Sequence, residues 1–204
     1  MKNKSSIDKI FLLLVILVTL YGTIMVFSAG TAYAEARYGD MLYFVKRQAV
    51  WIVIGLLAMY FASRVETKYY EKYTFHFYLL TLGLLILVLA VGLVGNGAQR
   101  WISLGPITIQ PSEIAKLSLI MMLSLYFSKN EDKATDKENQ KNILIFGTMI
   151  PCLIMLIPIV LVMLQKHLSC IIILGTIGLI LIFLAGTNPK YIYAFCIIGV
   201  ICVF

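Results

Sequence analysis

Residues 95–116 hold the side chains best suited to chemistry, in a short stretch between two long apolar runs. Arg100 and Trp101 come first, and a guanidinium can bind phosphate while an indole ring anchors at a membrane surface. Glu113 and Lys116 follow three residues apart, which places them on one face of a helix. An ion pair that enters a membrane is costly unless it faces protein or water, so this pair marks a candidate functional site.

Each of these pairs also has a purely structural interpretation. Arg100 with Trp101 is typical of an ordinary interfacial anchor. Glu113 with Lys116 is equally compatible with a salt bridge that locks one helix against its neighbours. His167, which stands in a short polar segment, either hydrogen-bonds a polar substrate or completes a turn. The residue types alone leave these alternatives open.

The sequence predicts no metal site and identifies no cofactor. His167 is isolated, whereas a metal site needs several ligands at suitable spacings. The four cysteines form no CxxC pair and lie inside apolar runs, where cysteine acts as a small packing residue. They are Cys152, Cys170, Cys196 and Cys202.

The elements that position these residues must lie in a membrane. Of 204 residues, 61% are hydrophobic and only 13% are charged, with a mean hydropathy of +0.92. The charges are bunched between long apolar runs, as expected for membrane spans and their connecting loops. The net charge of +7 does not indicate nucleic-acid binding, because the basic residues are not interleaved with aromatics in a solvated domain.

Apolar runs predict an all-α, polytopic transmembrane bundle that forms a single membrane domain over residues 1–204. A helix that crosses the hydrocarbon needs about 20 apolar residues. The run over residues 142–189 is too long for one crossing, and its polar segment 165–169 predicts a tight turn. We expect six full spans and an incomplete seventh, at about 10–29, 48–63, 75–95, 112–128, 143–164, 170–186 and 191–204.

Basic residues orient the spans. With a cytoplasmic N-terminus, eleven lysines and arginines lie in inside segments and five in outside segments. This excess follows the positive-inside rule. The stretch 95–116 and the turn 165–169 are then both on the outer side.

Prolines and glycines predict the local shape of the fifth and sixth spans. Pro151 and Pro158 are seven residues apart on one helix face, and each removes a backbone hydrogen bond and permits a kink. Such kinks often bound a cavity, although packing alone also accounts for proline in membrane helices. Gly175 and Gly178 in the next span permit close helix approach.

The polar stretch closely resembles a family signature. It contains a G-A-x-R-W-I pattern followed by Q-P-S-E-x-x-K, which is similar to that of the SEDS proteins, the family of FtsW, RodA and SpoVE. Further similarity before the second span and at the end of the sixth extends the resemblance over essentially the whole chain. The matching runs are Gly97-Ala98-Gln99-Arg100-Trp101-Ile102, Gln110-Pro111-Ser112-Glu113 with Lys116, Tyr43-Phe44-Val45-Lys46-Arg47-Gln48, and Phe183-Leu184-Ala185-Gly186.

One segment departs from the family pattern. The family often has a Q-P-D-x-G-type turn between the fifth and sixth spans. This chain has Gln165-Lys166-His167-Leu168-Ser169 there, with Lys166 in place of the proline. The detailed role of this turn therefore does not carry over from the family.

The resemblance implies a peptidoglycan glycosyltransferase of the bacterial plasma (inner) membrane, which polymerises lipid II for division, shape or sporulation. Lipid II, a class B penicillin-binding protein and membrane lipids are the expected partners. The family's catalytic aspartate follows the seventh span, beyond Phe204, so no catalytic residue is assigned here and the fragment alone is expected to be inactive. Candidate substrate-binding residues are Arg100, Trp101, Gln110, Ser112, Glu113, Lys116 and His167.

Two other functions stay open. A lipid II flippase would need a polar route through the bilayer, and apart from Glu113 and Lys116 the spans hold few charges. An inactive truncated paralogue is the second alternative, suggested by the short seventh apolar run. The sequence beyond Phe204 would separate this paralogue from the two active functions.

Overall fold

The computed structural model describes residues 8–95, 98–104, 107–135, 139–187 and 190. The chain divides into two compact units, residues 1–65 and 66–204. Six helices are described: α1 (Lys9–Tyr38), α2 (Tyr43–Arg64), α3 (Thr67–Val91), α4 (Pro111–Ala134), α5 (Gln140–Leu164) and α6 (Leu168–Leu184). Three strands lie between α3 and α4: β1 (Leu93–Gly95), β2 (Ala98–Leu104) and β3 (Ile107–Ile109).

Each of the six full spans predicted from the sequence overlaps one of these helices. Four helices, α1, α2, α3 and α5, are long and apolar enough to cross a membrane, and α6 is a shorter apolar helix. The chain is thus a multi-pass helical membrane bundle. The predicted seventh span, residues 191–204, lies outside the described residues, and the cytoplasmic N-terminus stays a prediction.

The first connection is much shorter than the sequence suggested. Apolar composition ends the predicted span near residue 29, but α1 continues to Tyr38 and only residues 39–42 separate it from α2. Thirty residues give about 45 Å of helix, longer than a hydrocarbon core of about 30 Å. The helix ends where Gly39 adopts a left-handed conformation with φ 67° and its N–H bonds to the Glu35 carbonyl.

The stretch before α4 is a small antiparallel sheet within the otherwise helical fold, and the sequence did not predict it. The strand order is β1-β2-β3, with Leu93 opposite Trp101 and Ile102 opposite Ile109. Aromatic and β-branched residues, which favour strands, occur in this stretch. Strand pairing on both sides of β2 also gives hydrogen-bond partners to backbone N–H and C=O groups that an irregular loop would leave unpaired. Gly97, Gly105 and Pro106 lie outside the described residues.

The core of the second unit lies between α3, α4, α5 and α6. Lipid is as apolar as these buried side chains, so the hydrophobic effect does not drive the helices together. Close van der Waals packing of the side chains does so instead. Gly178 permits α6 to approach α5, since a Cβ there would overlap the Met155 sulfur. Gly175 has no such neighbour within 4 Å among the described residues, so the structure shows close approach at Gly178 and not at Gly175. The core residues are Leu85, Ala115, Leu119, Leu123, Met155, Val162, Cys170 and Leu174.

The first unit consists of α1, α2 and the turn between them. Asp8 caps α1, because its carboxylate accepts the backbone N–H groups of Ile10 and Phe11 at 2.9 and 3.1 Å. At the other end of α1, the Tyr38 and Tyr43 rings stack with their centroids 3.9 Å apart. Contacts at the helix ends therefore define the geometry of this unit.

Candidate functional site

Three elements of the second unit meet at one end of its helices: β2, the start of α4 and the turn between α5 and α6. Arg100 on β2 donates a hydrogen bond from Nη2 to the carbonyl oxygen of Lys166 at 2.7 Å. Lys166 has a left-handed backbone with φ 55°, which is uncommon for a residue other than glycine. Arg100 thus hydrogen-bonds to the backbone of a strained turn that lies 66 positions later in the sequence.

His167 joins the same turn to both neighbouring helices. Its Nδ1 accepts the backbone N–H of Cys170 at 3.1 Å and so caps the start of α6. Its Nε2 lies 2.9 Å from the side-chain amide of Gln110. A neutral imidazole that accepts at Nδ1 carries its proton on Nε2, and the Gln110 atom that faces this proton is the amide nitrogen, also a donor. A hydrogen bond between the two groups therefore requires the amide to be turned by about 180°, so that its oxygen accepts.

The first turn of α4 has unused hydrogen-bonding capacity. Gln110 precedes the helix without capping it, because its side chain makes no capping bond. Ser112 is fully buried, and its hydroxyl has no hydrogen-bond partner among the described residues. The same is true of the buried Nε of Arg100. A helix N-terminus carries a partial positive charge, so these groups together are suited to an anion.

Glu113 and Lys116 form the ion pair that their spacing predicted. Lys116 Nζ lies 2.6 Å from a Glu113 carboxylate oxygen. The lysine side chain is 23% exposed and the glutamate side chain 57% exposed, so the pair lies at the edge of the bundle. The negative charge lies in the first turn of α4, where it complements the helix dipole.

Trp101 lies next to Arg100 on β2 and is 41% exposed. Within the described part of the chain, it makes no hydrogen bond to the other candidate residues. The structure therefore brings Arg100, Gln110 and His167 together through hydrogen bonds, with Ser112 buried beside them at the start of α4. We call these four residues the polar cluster. Trp101 is positioned as an exposed neighbour of this cluster.

Two further residues support the polar cluster and were not identified as site residues from the sequence. Gln165 is 1% exposed, and its amide donates to the Leu85 carbonyl at 3.1 Å, which ties the turn to α3. The Cys170 thiol contacts the Ser112 carbonyl at 3.7 Å, which ties α6 to α4. A glutamine between two apolar runs could have been recognised from the sequence as a residue that needs a hydrogen-bond partner. A cysteine inside an apolar run could not, because it also occurs there as a simple packing residue.

The polar cluster offers donors that could hold a substrate. A guanidinium, an imidazole N–H, a hydroxyl and a helix N-terminus can bind phosphate oxygens or sugar hydroxyls. Within the described residues, the histidines, cysteines and carboxylates form no group of three able to hold a metal ion. The arrangement is therefore suited to binding and positioning an anionic or polar group.

Comparison with known proteins gives this geometry a context. The FtsW/RodA/SpoVE family, described as cell cycle proteins, matches residues 8–204. A probable peptidoglycan glycosyltransferase FtsW from Geobacter sulfurreducens is 34% identical over 191 residues, covering 92% of this chain and 49% of that protein. The FtsW of Haemophilus influenzae is 32% identical over 181 residues, covering 89% and 44%.

Solved structures show the same fold. The crystal structure of the rod shape determining protein RodA from Thermus thermophilus has a TM-score of 0.64 and 24% identity, covering 86% of this chain and 55% of that one. A structure described as a peptidoglycan synthase complex has a TM-score of 0.63 and 23% identity, covering 92% and 51%. The chain spans about half the length of the curated relatives it matches.

Proposed function

This chain belongs to the FtsW, RodA and SpoVE family of cell cycle proteins, and on that premise we propose that it is the N-terminal, substrate-holding part of a peptidoglycan glycosyltransferase. Its relatives carry the name peptidoglycan glycosyltransferase. In this proposal the whole protein polymerises lipid II on the outer face of the bacterial plasma membrane. The family's catalytic aspartate is not assigned to any residue of this chain, and the chain alone is expected to be inactive.

The observation that carries the proposal is the polar cluster at the start of α4. Lipid II has a diphosphate and two sugars at the membrane surface, so its binding site needs cationic and neutral donors close together. Arg100 and the α4 N-terminus supply positive charge. The Ser112 hydroxyl and Arg100 Nε, which have no partner among the described residues, supply further hydrogen bonds. These groups are assigned to the diphosphate.

The remaining candidates receive supporting roles. Gln110 and His167 are assigned to sugar hydroxyls, because amide and imidazole groups both donate and accept hydrogen bonds. Trp101 is assigned to the membrane surface, where an exposed indole ring anchors. Glu113 and Lys116 organise the edge of the site by fixing the first two turns of α4.

A flippase is less well supported. Such a protein would need polar groups along the membrane depth, but Glu113 and Lys116 both lie in the first two turns of the 24-residue helix α4. The pair is therefore at one end of its helix. A class B penicillin-binding protein is the proposed partner, and the structural relative described as a synthase complex supports this pairing by fold.

Substitution of Arg100 in the full-length protein tests the proposal. Arg100→Ala should lower lipid II polymerisation per folded molecule at least about tenfold, because a lost charge-assisted hydrogen bond contributes about 1.5–3 kcal/mol. Arg100→Lys should recover part of the rate, since lysine keeps the charge but cannot bind in a bidentate manner. The assay is glycan-strand formation on a gel, normalised to folded protein.

Arg47→Ala is the matched control. Arg47 is an exposed arginine whose guanidinium lies over the Tyr43 ring on its own helix, 5.9 Å from the centroid. This variant should retain the parental rate. If Arg100→Ala reduces only the amount of protein and leaves the specific activity intact, Arg100 is an anchor and the substrate role is wrong.

A further inference from the structure

Helix α5 contains two prolines, and each leaves a carbonyl without its usual donor. Proline has no backbone N–H, so Pro158 cannot bond to the carbonyl of Ile154, four residues earlier. In a membrane, such a carbonyl has no water to bond with. The Tyr78 hydroxyl on α3 donates to this same Ile154 carbonyl at 2.6 Å.

The second proline follows a π-helical segment, Ile143–Met149, in which hydrogen bonds run from residue i to residue i−5. The N–H of Ile150 bonds to the carbonyl of Ile145 in this pattern. The next donor in the series would be residue 151, paired with Phe146, but residue 151 is a proline. The Tyr126 hydroxyl on α4 donates to the Phe146 carbonyl at 2.9 Å.

We propose that Tyr78 and Tyr126 are positioning residues that replace the two hydrogen-bond donors missing from α5. Each tyrosine comes from a different helix packed against α5, and each bonds to the carbonyl that the local helix pattern leaves unpaired. The match between proline position and tyrosine partner occurs twice, in two different helix registers. If the two tyrosines only packed against α5, their hydroxyls would have no reason to bond to these two carbonyls and not to others.

The consequence reaches the polar cluster through the end of α5. Pro158 lies seven residues, or about two turns, before Gln165. Successive residues of an α-helix are rotated by about 100° about the helix axis, and those of a π-helix by less. Conversion of the π segment to regular α-helix would therefore rotate all later residues of α5 about the axis. The two tyrosines thus hold α5 in the form that directs Gln165 and His167 toward α3 and α4. This role does not depend on the reaction that the whole protein performs.

The test is rescue by restoring the missing N–H. In the 204-residue chain in lipid nanodiscs, Tyr78→Phe and Tyr126→Phe should each lower Tm by roughly 2–4 °C. Each should also shift the ¹⁵N signal of the His167 ring, which reports its bond to Gln110. Tyr73→Phe, on the same helix as Tyr78 but with an exposed ring, is the control and should change neither measurement.

Second substitutions distinguish the proposed role from ordinary packing. Pro158→Ala should restore Tm and the His167 signal in the Tyr78→Phe chain, because an alanine at this position supplies an N–H for the Ile154 carbonyl. Pro151→Ala should do the same for Tyr126→Phe. Exchanged combinations should give no rescue.

Three outcomes would overturn the proposal. The first is that the tyrosine substitutions leave both Tm and the His167 signal unchanged. The second is that a matched double variant is no better folded than its single parent. The third is that matched and exchanged prolines rescue equally, which would show a general effect of removing a proline.

Discussion

In the first unit, α1 buries one side chain, that of Ala34, and α2 buries none within the described structure, whereas α3 and α4 in the second unit bury five and seven. Both pairs of helices are rich in leucine, isoleucine and valine. The difference lies in where the polar contacts are. The first unit places them at its helix ends, as between Asp40 and Lys46, and the second places several between its helices, as between Tyr78 and the Ile154 carbonyl.

This difference shows what apolar composition means in a membrane. A leucine is as well accommodated by lipid as by protein, so hydrophobicity does not decide which helix faces pack together. Small residues that permit close approach, and polar groups that need partners, are the features that select a neighbour. In this chain they lie mainly in the second unit, which also contains the polar cluster.

The largest expected effect comes from adding one methyl group in each unit. Gly178→Ala should destabilise the protein by about 1–3 kcal/mol, because its Cβ would overlap the Met155 side chain. Gly22→Ala in α1 should stabilise it by about 0.5–1 kcal/mol, since no described residue lies within 4 Å of the added Cβ and alanine favours helix. Thermal unfolding in detergent measures both changes.

Gly175→Ala is a second control, on the same helix as Gly178 and also with no described residue within 4 Å of the added Cβ. It should behave as Gly22→Ala does. Equal responses at positions 22, 175 and 178 would show that the contact between α5 and α6 does not distinguish the second unit from the first.

Sequence reasoning was most successful for helices and least successful for contacts between them. The apolar runs indicated every described helix, and the polar segment after Leu164 gave the turn between α5 and α6. The extension of α1 beyond residue 29 was missed, because hydropathy falls there while helix propensity continues to Gly39. Hydropathy reports lipid contact, and helix length depends also on backbone propensity.

The polar cluster was only partly predictable. Arg100 and the Glu113–Lys116 pair were identified because charges are rare near membrane spans. The bond from Arg100 to Lys166 joins residues 66 positions apart, and the one from Gln110 to His167 joins residues 57 apart. Such pairings depend on how α3, α4, α5 and α6 pack, which no local pattern contains. The small sheet was missed for the same reason, since strand pairing is set by the partner strand.

Ion pairs give an intermediate test of the comparison. Lys116 in the second unit is the less exposed member of its pair, at 23% against 57% for Glu113, so removal of Glu113 leaves a lysine charge that is poorly solvated. Glu113→Gln and Lys116→Met should each destabilise the protein, and the double variant should be more stable than either, with a coupling energy of about 1 kcal/mol. Thermal unfolding of the parent, the two single variants and the double variant in detergent gives this double-mutant cycle.

The Asp40–Lys46 pair provides the matched cycle in the first unit. Its lysine is 66% exposed, against 23% for Lys116. Asp40→Asn and Lys46→Met should therefore show weaker coupling, because water solvates whichever charge remains. Strictly additive losses at Glu113 and Lys116 would contradict the expectation that the second unit holds the stronger pair.

The smallest expected effect is the pH dependence of that same turn. The Lys46 side-chain hydrogen bond, at 2.7 Å, and the backbone N–H of Leu42 hold the pKa of Asp40 below its ordinary value. A carboxyl with a lowered folded-state pKa contributes stability above its unfolded pKa, about 4, and loses it as pH falls through the folded pKa. Stability should thus decline slightly below about pH 4, with a ¹³C titration of Asp40 giving the lowered pKa directly.

Lys46→Met should raise that pKa toward the ordinary value and remove most of the acid-sensitive contribution. An unchanged titration in Lys46→Met would show that the ion pair does not stabilise the turn. The two units would then differ in burial alone, with no contribution from ion pairing at the helix ends of the first.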